Sequence, residues 1–368
     1  MAACHRAGRY RTSCVKLFAP LPQRSVVLRN RLVVSPMCQY SAVDGMPDDW
    51  HLVHLGSRAV GGAGAVLAEA TAISAPGRIS PSDTGLWNDA QMHAWQPIAR
   101  FITAHGAVAG MQLAHDGRKA STWRPWEGHG ALPVDHGAWP TIAPSALPFY
   151  TDAPAPDALD AAGIRGVIAD FRAAAQRALT AGFELLELHA AHGYLLHQFL
   201  SPLSNQRSDE YGGSFVNRTR LVREVVAAVR EVWPERLPLW MRISATDWAE
   251  ADAGWNIEQS VQLAQQVKTL GVDLLDVSSG GLLPGVTVPV APGYQVPFAA
   301  RIRREGGIAT GAVGLITTAE QAAAIVAGGE ADVVLLARES LRDPYFPRRA
   351  ATALGASIAA PVQYQRAW

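Results

Sequence analysis

Eight short apolar runs recur along this 368-residue chain, and most of the intervals between them carry a helical pattern. The runs cover residues 32–36, 63–70, 107–114, 183–188, 237–243, 272–277, 308–313 and 333–336. Runs this short, bounded by turn signals, read as strands buried on both faces. Strands that alternate with helices imply a parallel sheet, and eight repeats with no domain break imply a closed (β/α)8 barrel. An open doubly wound sheet is the competing architecture. Against it, no GxGxxG turn follows the first strand, and Gly61-Gly62-Ala63-Gly64 precedes a strand instead of following one.

The helices are legible from spacing. Ile164, Ile168, Phe171, Ala175 and Ala178 recur at three-to-four intervals and predict an amphipathic helix ending near Gly182. Leu221, Val225, Val229 and Trp233 predict the next, stopped by Pro234. Asn256 is placed to cap a helix with the stripe Ile257, Val261, Ala264 and Val267, closed by Gly271. Thr317 and Glu320 have the spacing of a capping box for a helix ending at Gly328-Gly329.

Composition narrows the function class. The formal net charge is zero and no basic run occurs, which argues against a nucleic-acid partner. The apolar runs are too short to span a bilayer. Cys4, Cys14 and Cys38 make neither a disulfide framework nor a CxxC pair, so a reducing, cytoplasmic setting is expected. Residues 1–14 are basic and read as an extension outside the fold, leaving 15–368 as one domain. Residues 121–156, rich in Pro, Gly and Trp, fit no period, and read as a lid or capping segment.

In a barrel of this type the chemistry sits at the carboxyl ends of the strands. Those ends carry Cys38, Ala70-Thr71, Gln112, His189, Arg242, Ser278, Gly311 and Arg338. The glycines after the seventh run and Ala337-Arg338 after the eighth match the usual phosphate site of such barrels, where turn N–H groups and one guanidinium meet an anion. His189 and His192, with Tyr194 just beyond, read as a donor cluster for a substrate oxygen. A zinc pair is the alternative, but no third ligand stands at a recognisable spacing, and His54 and His115 are isolated. A purely structural pair bonded to loop backbone is the other.

Three motifs make the reading specific: SPMCQYS at 35–41, QLAHDGRK at 112–119, and HAAHGYLLHQFLSP from His189 followed by DEYGGS and NR. From about Leu17 onward the chain resembles the Old Yellow Enzyme family of FMN-dependent ene-reductases. Cysteine in SPMC, the GAVGLI segment at 311–316 and the tail QYQRAW resemble its bacterial, thermophilic-like branch. Val216 departs from the glutamate common in the family and lies away from the expected flavin face.

The resemblance implies an α/β fold, a single TIM barrel with a long capping loop. It also implies tightly bound, non-covalent FMN, with NADPH or NADH as hydride donor and no metal. Ser35, Pro36, Met37, Cys38, Ala70, Gln112, Arg242, Gly311, Ala337 and Arg338 would hold the FMN. Tyr40, His189, His192 and Tyr194 would face the substrate, with the imidazoles as hydrogen-bond donors and Tyr194 as proton donor. The implied substrates are electron-poor alkenes such as enones, maleimides and nitro compounds, with phenols as ligands. Arg366 and Trp368, in the tail 361–368, would reach a neighbouring subunit's site in a homodimer or homotetramer. Relatives with a cysteine-ligated iron–sulfur cluster are set aside, because no cysteine follows Cys38. A flavin-binding module without turnover and a metal-dependent barrel hydrolase remain as competing readings.

Overall fold

The computed structural model describes residues 16–151, 153–250 and 253–368, so the extension 1–14 lies outside the described residues. All eight predicted runs become strands of one closed barrel. They are β1 (Leu32–Val34), β2 (Ala65–Ala72), β3 (Val108–Ala114), β4 (Leu185–Ala190), β5 (Leu239–Ser244), β6 (Leu274–Ser278), β7 (Ala309–Ala312) and β8 (Val333–Leu336). Each pairs in parallel with its neighbours in sequence, and Val334 of β8 pairs with Leu32 of β1 to close the ring. The register of β2 shifts between Ala68 and Ala70, a bulge that re-aims the strand just below its carboxyl end.

The principal helices surround the barrel: α1 (Asp49–Val60), α2 (Asp89–Ala104), α3 (Ala161–Ala181), α4 (Arg220–Val232), α5 (Ile257–Thr269), α6 (Val296–Arg301), α7 (Ala319–Gly328) and α8 (Phe346–Ala353). Ile164, Phe171, Ala175 and Ala178 of α3 are fully buried. Removing a ring such as that of Phe171 would cost about 3–5 kcal/mol. Gly182 ends α3 with φ 93°, a left-handed cap that L side chains resist. Asn256 accepts from Gln259 N at 3.0 Å and caps α5 as expected. At α7 the cap is Thr318, whose Oγ accepts from Gln321 N at 3.2 Å, one residue beyond the predicted Thr317.

An antiparallel hairpin, Leu21–Gln23 with Val26–Leu28, lies across the amino-terminal end of the barrel. Its Gln23 side chain accepts from Trp240 Nε1, and Arg24 pairs with Asp273 just before β6. That end is therefore plugged. The opposite end carries the long loops. The segment 121–156 is not wholly irregular: Thr122 bridges Ala131, and Ile142–Ala143 pairs in parallel with Asp157–Ala158. These short pairings return the excursion to the barrel at α3.

Candidate active site

The period of a strand places polar side chains inside the barrel and apolar ones against the helices. In β4, Glu187 and His189 share one side while Leu186 and Leu188 take the other; in β5, Arg242 shares a side with Trp240. Pairing sets Gln112 beside Glu187, His189 beside Arg242, and Arg242 beside Asp276. The barrel interior thus narrows upward from a polar layer to the two histidines.

His189, His192 and Tyr194 form one cluster, with ring centroids 5.1 Å apart for the histidine pair and 4.8 Å for His189 and Tyr194. Ala191 N–H donates to His189 Nδ1 at 3.2 Å. The neutral ring therefore carries its proton on Nε2, the nitrogen left free. His192 differs. Its Nε2 lies 2.7 Å from Ser278 Oγ, whose hydroxyl faces Gln295 Oε1 at 3.3 Å, while Gln295 Nε2 donates to Val313 O. Because Oε1 can only accept, Ser278 gives its proton there and accepts from His192. His189 thus offers a free N–H, whereas the Nε2 proton of His192 is engaged by Ser278.

Burial, then Arg242, hold both imidazoles well below the ordinary histidine range, with Lys119 among the lesser causes. Burial, then Asp116 and Cys38, push the Tyr194 phenol well up, so it keeps its proton. The Cys38 thiol is also pushed up, by burial and then Asp83, Glu69 and Asp116, which leaves it a poor nucleophile. Tyr40 stands edge-on to Trp126 of the excursion at 5.9 Å.

Lys119 belongs to a motif read in the sequence but was given no role there. Its Nζ donates to His192 O and Gly281 O, both at 2.8 Å, and lies over the Tyr194 ring at 5.2 Å. Burial lowers it to about 8. Gly193 and Gly281 meet backbone to backbone: a Cβ on Gly193 would stand 2.3 Å from Gly281 O, and φ is positive at both. Among the described residues, five of the seven non-glycine residues with positive φ, namely Tyr40, Ser121, His192, Trp248 and Leu315, follow β1, β3, β4, β5 and β7 on this one rim. Strain of this kind concentrates at functional sites.

A cavity of about 230 Å³ opens beside the cluster, lined by Ser278, Gln295, Gly314, Leu315, Ala337 and Arg338. Gly314 has φ 121°, and a Cβ there would crowd Gln295 Nε2 at 2.9 Å. Gly311 lies inside β7, where a Cβ would meet Leu335 Cδ1 at 2.4 Å, so a side chain there would crowd the strand packing. Among the described residues Ser35 Oγ is buried without a partner. Among the described residues, neither the Arg242 nor the Arg338 side chain donates a hydrogen bond; Arg242 Nε only approaches Asp276 Oδ2, at 2.9 Å. An unpartnered hydroxyl, two available guanidiniums and a glycine-walled cavity suit a flavin mononucleotide. Ser35 to Cys38, Ala70, Gln112, Arg242, Ala337 and Arg338 are the residues that could hold it. Among the described residues, no group of three or more His, Cys, Asp or Glu converges as metal ligands would.

The tail does not join this site. Trp368 stacks on Tyr345 at 6.5 Å and lies 5.9 Å from the Arg348 guanidinium, which bonds Val60 O at the carboxyl end of α1. That is the face opposite the histidines.

The description "NADH:flavin oxidoreductase / NADH oxidase family" matches residues 16–356. NADPH dehydrogenase of Listeria innocua serovar 6a is 49% identical over 355 residues, 96% of this chain and 99% of that protein. Among solved structures, morphinone reductase is similar with a TM-score of 0.75 and 30% identity, over 94% of this chain and 91% of that one. The Old Yellow Enzyme homologue from Zymomonas mobilis has a TM-score of 0.76 and 27% identity, over 94% and 95%. The chain spans about half of some longer ones: 53% of a 2-naphthoyl-CoA reductase of 23% identity, a likeness of fold alone.

Proposed function

The chain belongs to the NADH:flavin oxidoreductase / NADH oxidase family, as an NAD(P)H-dependent FMN enzyme of Old Yellow Enzyme type, and from that premise we propose that it reduces the C=C bond of electron-poor alkenes. Enones and maleimides are the expected substrates, and nitroalkenes share the same polarisation. Held by the residues named above, FMN would supply the hydride chemistry that links NADPH or NADH to the β-carbon of the alkene.

The protein's own residues supply the polar half of the reaction. His189 offers Nε2–H to the activating oxygen, where negative charge grows in the transition state. A fixed donor in a site shielded from water is worth most there. His192, held by Ser278, forms the wall beside it and keeps the loop in place. Tyr194 holds its phenolic proton firmly and gives it to the α-carbon as general acid. Lys119 keeps Tyr194 and the two loops together. Gln112 spends its Nε2 on Glu187 Oε1 at 2.7 Å, which leaves Oε1 as the amide end available to a ligand. Tyr40 and Trp126 close the side toward the capping segment 121–156.

The observation that carries this reading is the free Nε2–H of His189 within one ring of Tyr194. Supply of NADPH and an enone under anaerobic conditions tests it: the saturated carbonyl compound should form with NADPH consumed in equal amount. Oxidation of NADPH only when oxygen is admitted would refute the proposed substrate class.

We further infer a homodimer or homotetramer with shared sites. The tail 361–368 lies away from its own site, and Trp368, Tyr364 and Val362 are exposed on it. Arg366 and Trp368 would then serve a neighbour. A cytoplasmic setting suits a chain whose Cys38 stands free.

A further inference from the structure

Beneath the histidines, the barrel holds three ionisable side chains that substrate contact does not explain. Glu187 and Asp276 are fully buried and Arg242 is 6% exposed. Arg242 Nε lies 2.9 Å from Asp276 Oδ2, so that carboxylate has a cation. Among the described residues Glu187 has only an amide: Gln112 Nε2 donates to Oε1, and Oε2 has no partner. Strands β1, β7 and β8 bring no ionisable residue into the interior, being LVV, ATGA and VVLL. Glu69 of β2 is engaged elsewhere, with His51 at 3.3 Å and Gln39 N at 2.9 Å. His189, two residues along β4, is neutral. The interior thus carries two carboxyl groups against one guanidinium.

A second ionised carboxylate here would be a buried charge with no cation of its own, and such a group neutralises instead of staying charged. The choice between the two acids follows from their partners: Asp276 has the guanidinium, Glu187 an amide. We propose that Glu187 is carried as a neutral carboxylic acid in the working enzyme, balancing the Arg242–Asp276 pair and so setting the charge that this layer presents to the flavin. Glu187 is a positioning residue in this account, acting through Gln112 and Arg242. The inference rests on those two residues meeting the flavin, as in the proposed function.

The direction of the effect follows from charge. While Glu187 is neutral the layer sums to zero. Once it ionises, the layer becomes negative, opposes electron density arriving on the flavin, and lowers its reduction potential. Burial, then Asp276, raise Glu187 to about 8, so the change belongs to mildly alkaline solution.

Two measurements on the flavin-loaded enzyme decide it. In infrared difference spectra at neutral pH, wild type minus Glu187→Gln should show a protonated-carboxyl C=O band that shifts in D2O. The band should fade in wild type as pH rises past about 8, and in Asp276→Asn, where Glu187 becomes the carboxyl left to Arg242, it should fade at lower pH. In parallel, the midpoint potential of bound FMN should coincide in wild type and Glu187→Gln at neutral pH and separate in alkali, wild type becoming the lower. A missing band, or one that Glu187→Gln retains, would overturn the assignment of the proton, and a band whose pH dependence Asp276→Asn leaves unchanged would overturn the charge balance. A constant offset in potential at every pH would overturn the coupling to the flavin. Should Glu187→Gln fail to fold, the wild-type band, its loss in alkali and its earlier loss in Asp276→Asn still decide. The infrared result reads Glu187 with or without flavin, so a wrong flavin assignment shows separately.

Discussion

Lys119 Nζ lies 2.8 Å from the carbonyl oxygen of His192, and the same ammonium reaches Gly281 O at 2.8 Å. One cation on the loop after β3 therefore fixes the loops after β4 and β6. Because His192 sits at φ 58° and Gly193 packs on the Gly281 backbone, this stitch holds a strained turn that local sequence would not hold alone. Lys119→Met keeps the stem and removes the donors. We expect phenol and enone affinity to fall by about tenfold, the scale of one charge-assisted hydrogen bond, with FMN content retained. Ligand titration beside a flavin-to-protein ratio checks both halves.

Tyr194→Phe removes the proton while keeping the ring that packs on His189. Alkene reduction should slow by about a hundredfold, the lower range for a lost general acid. Reduction of the enzyme by NADPH should be unchanged, and rapid mixing of each half-reaction separates the two. Slowing of the NADPH step would mean that Tyr194 serves something else.

Acid should destabilise the protein through its neutral histidines. The folded-state values of His189 and His192 are pushed well below 6.5, chiefly by burial. Between 6.5 and the folded values the unfolded chain binds protons that the native state refuses, so stability is complete above 6.5 and declines as pH falls below it. His189→Asn cannot titrate, and its melting temperature should decline less steeply below about 6.5 than that of the parent. Parallel curves would remove His189 from the acid response.

Beneath the same loop, His197 Nε2 approaches Asp247 Oδ1 to 2.9 Å with both side chains fully buried, and His197 Nδ1 accepts from Gly193 N. Asp247 also takes Ser201 Oγ at 2.6 Å and Trp255 N at 2.7 Å. Asp247→Ala strands all three and should cost about 3–5 kcal/mol, read as a lower denaturant midpoint. Ligand affinity should weaken as well, since Gly193 joins His192 to Tyr194.

Much of this was legible in the sequence. The eight strands, the Gly182 and Asn256 caps and the histidine–tyrosine cluster come from local pattern, where period and turn chemistry act within a few residues. The α7 cap fell one residue off because Thr317 and Thr318 are chemically alike and only the helix phase separates them. The capping excursion hid its short pairings because Ile142–Ala143 and Asp157–Ala158 are too brief to set a period. Lys119, Gln295 and the Glu187–Arg242–Asp276 layer were missed for another reason. Lys119 meets His192 across 73 positions, and Gln112 meets Glu187 across 75. Only barrel closure brings such residues together. Two of the misses had a local clue: Glu187 and Asp276 are acidic residues inside largely apolar strands, a pattern that marks a buried partner.

The central claim is that His189 Nε2–H meets the oxygen of a ligand lying against the flavin. Titration of the FMN-loaded protein with para-hydroxybenzaldehyde tests it directly, because a phenolate held against oxidised flavin gives a long-wavelength charge-transfer band. The account predicts a saturable band in the parent and at least a tenfold weaker dissociation constant in His189→Ala, about 1.4 kcal/mol. Equal affinity and an identical band in the two proteins would contradict it.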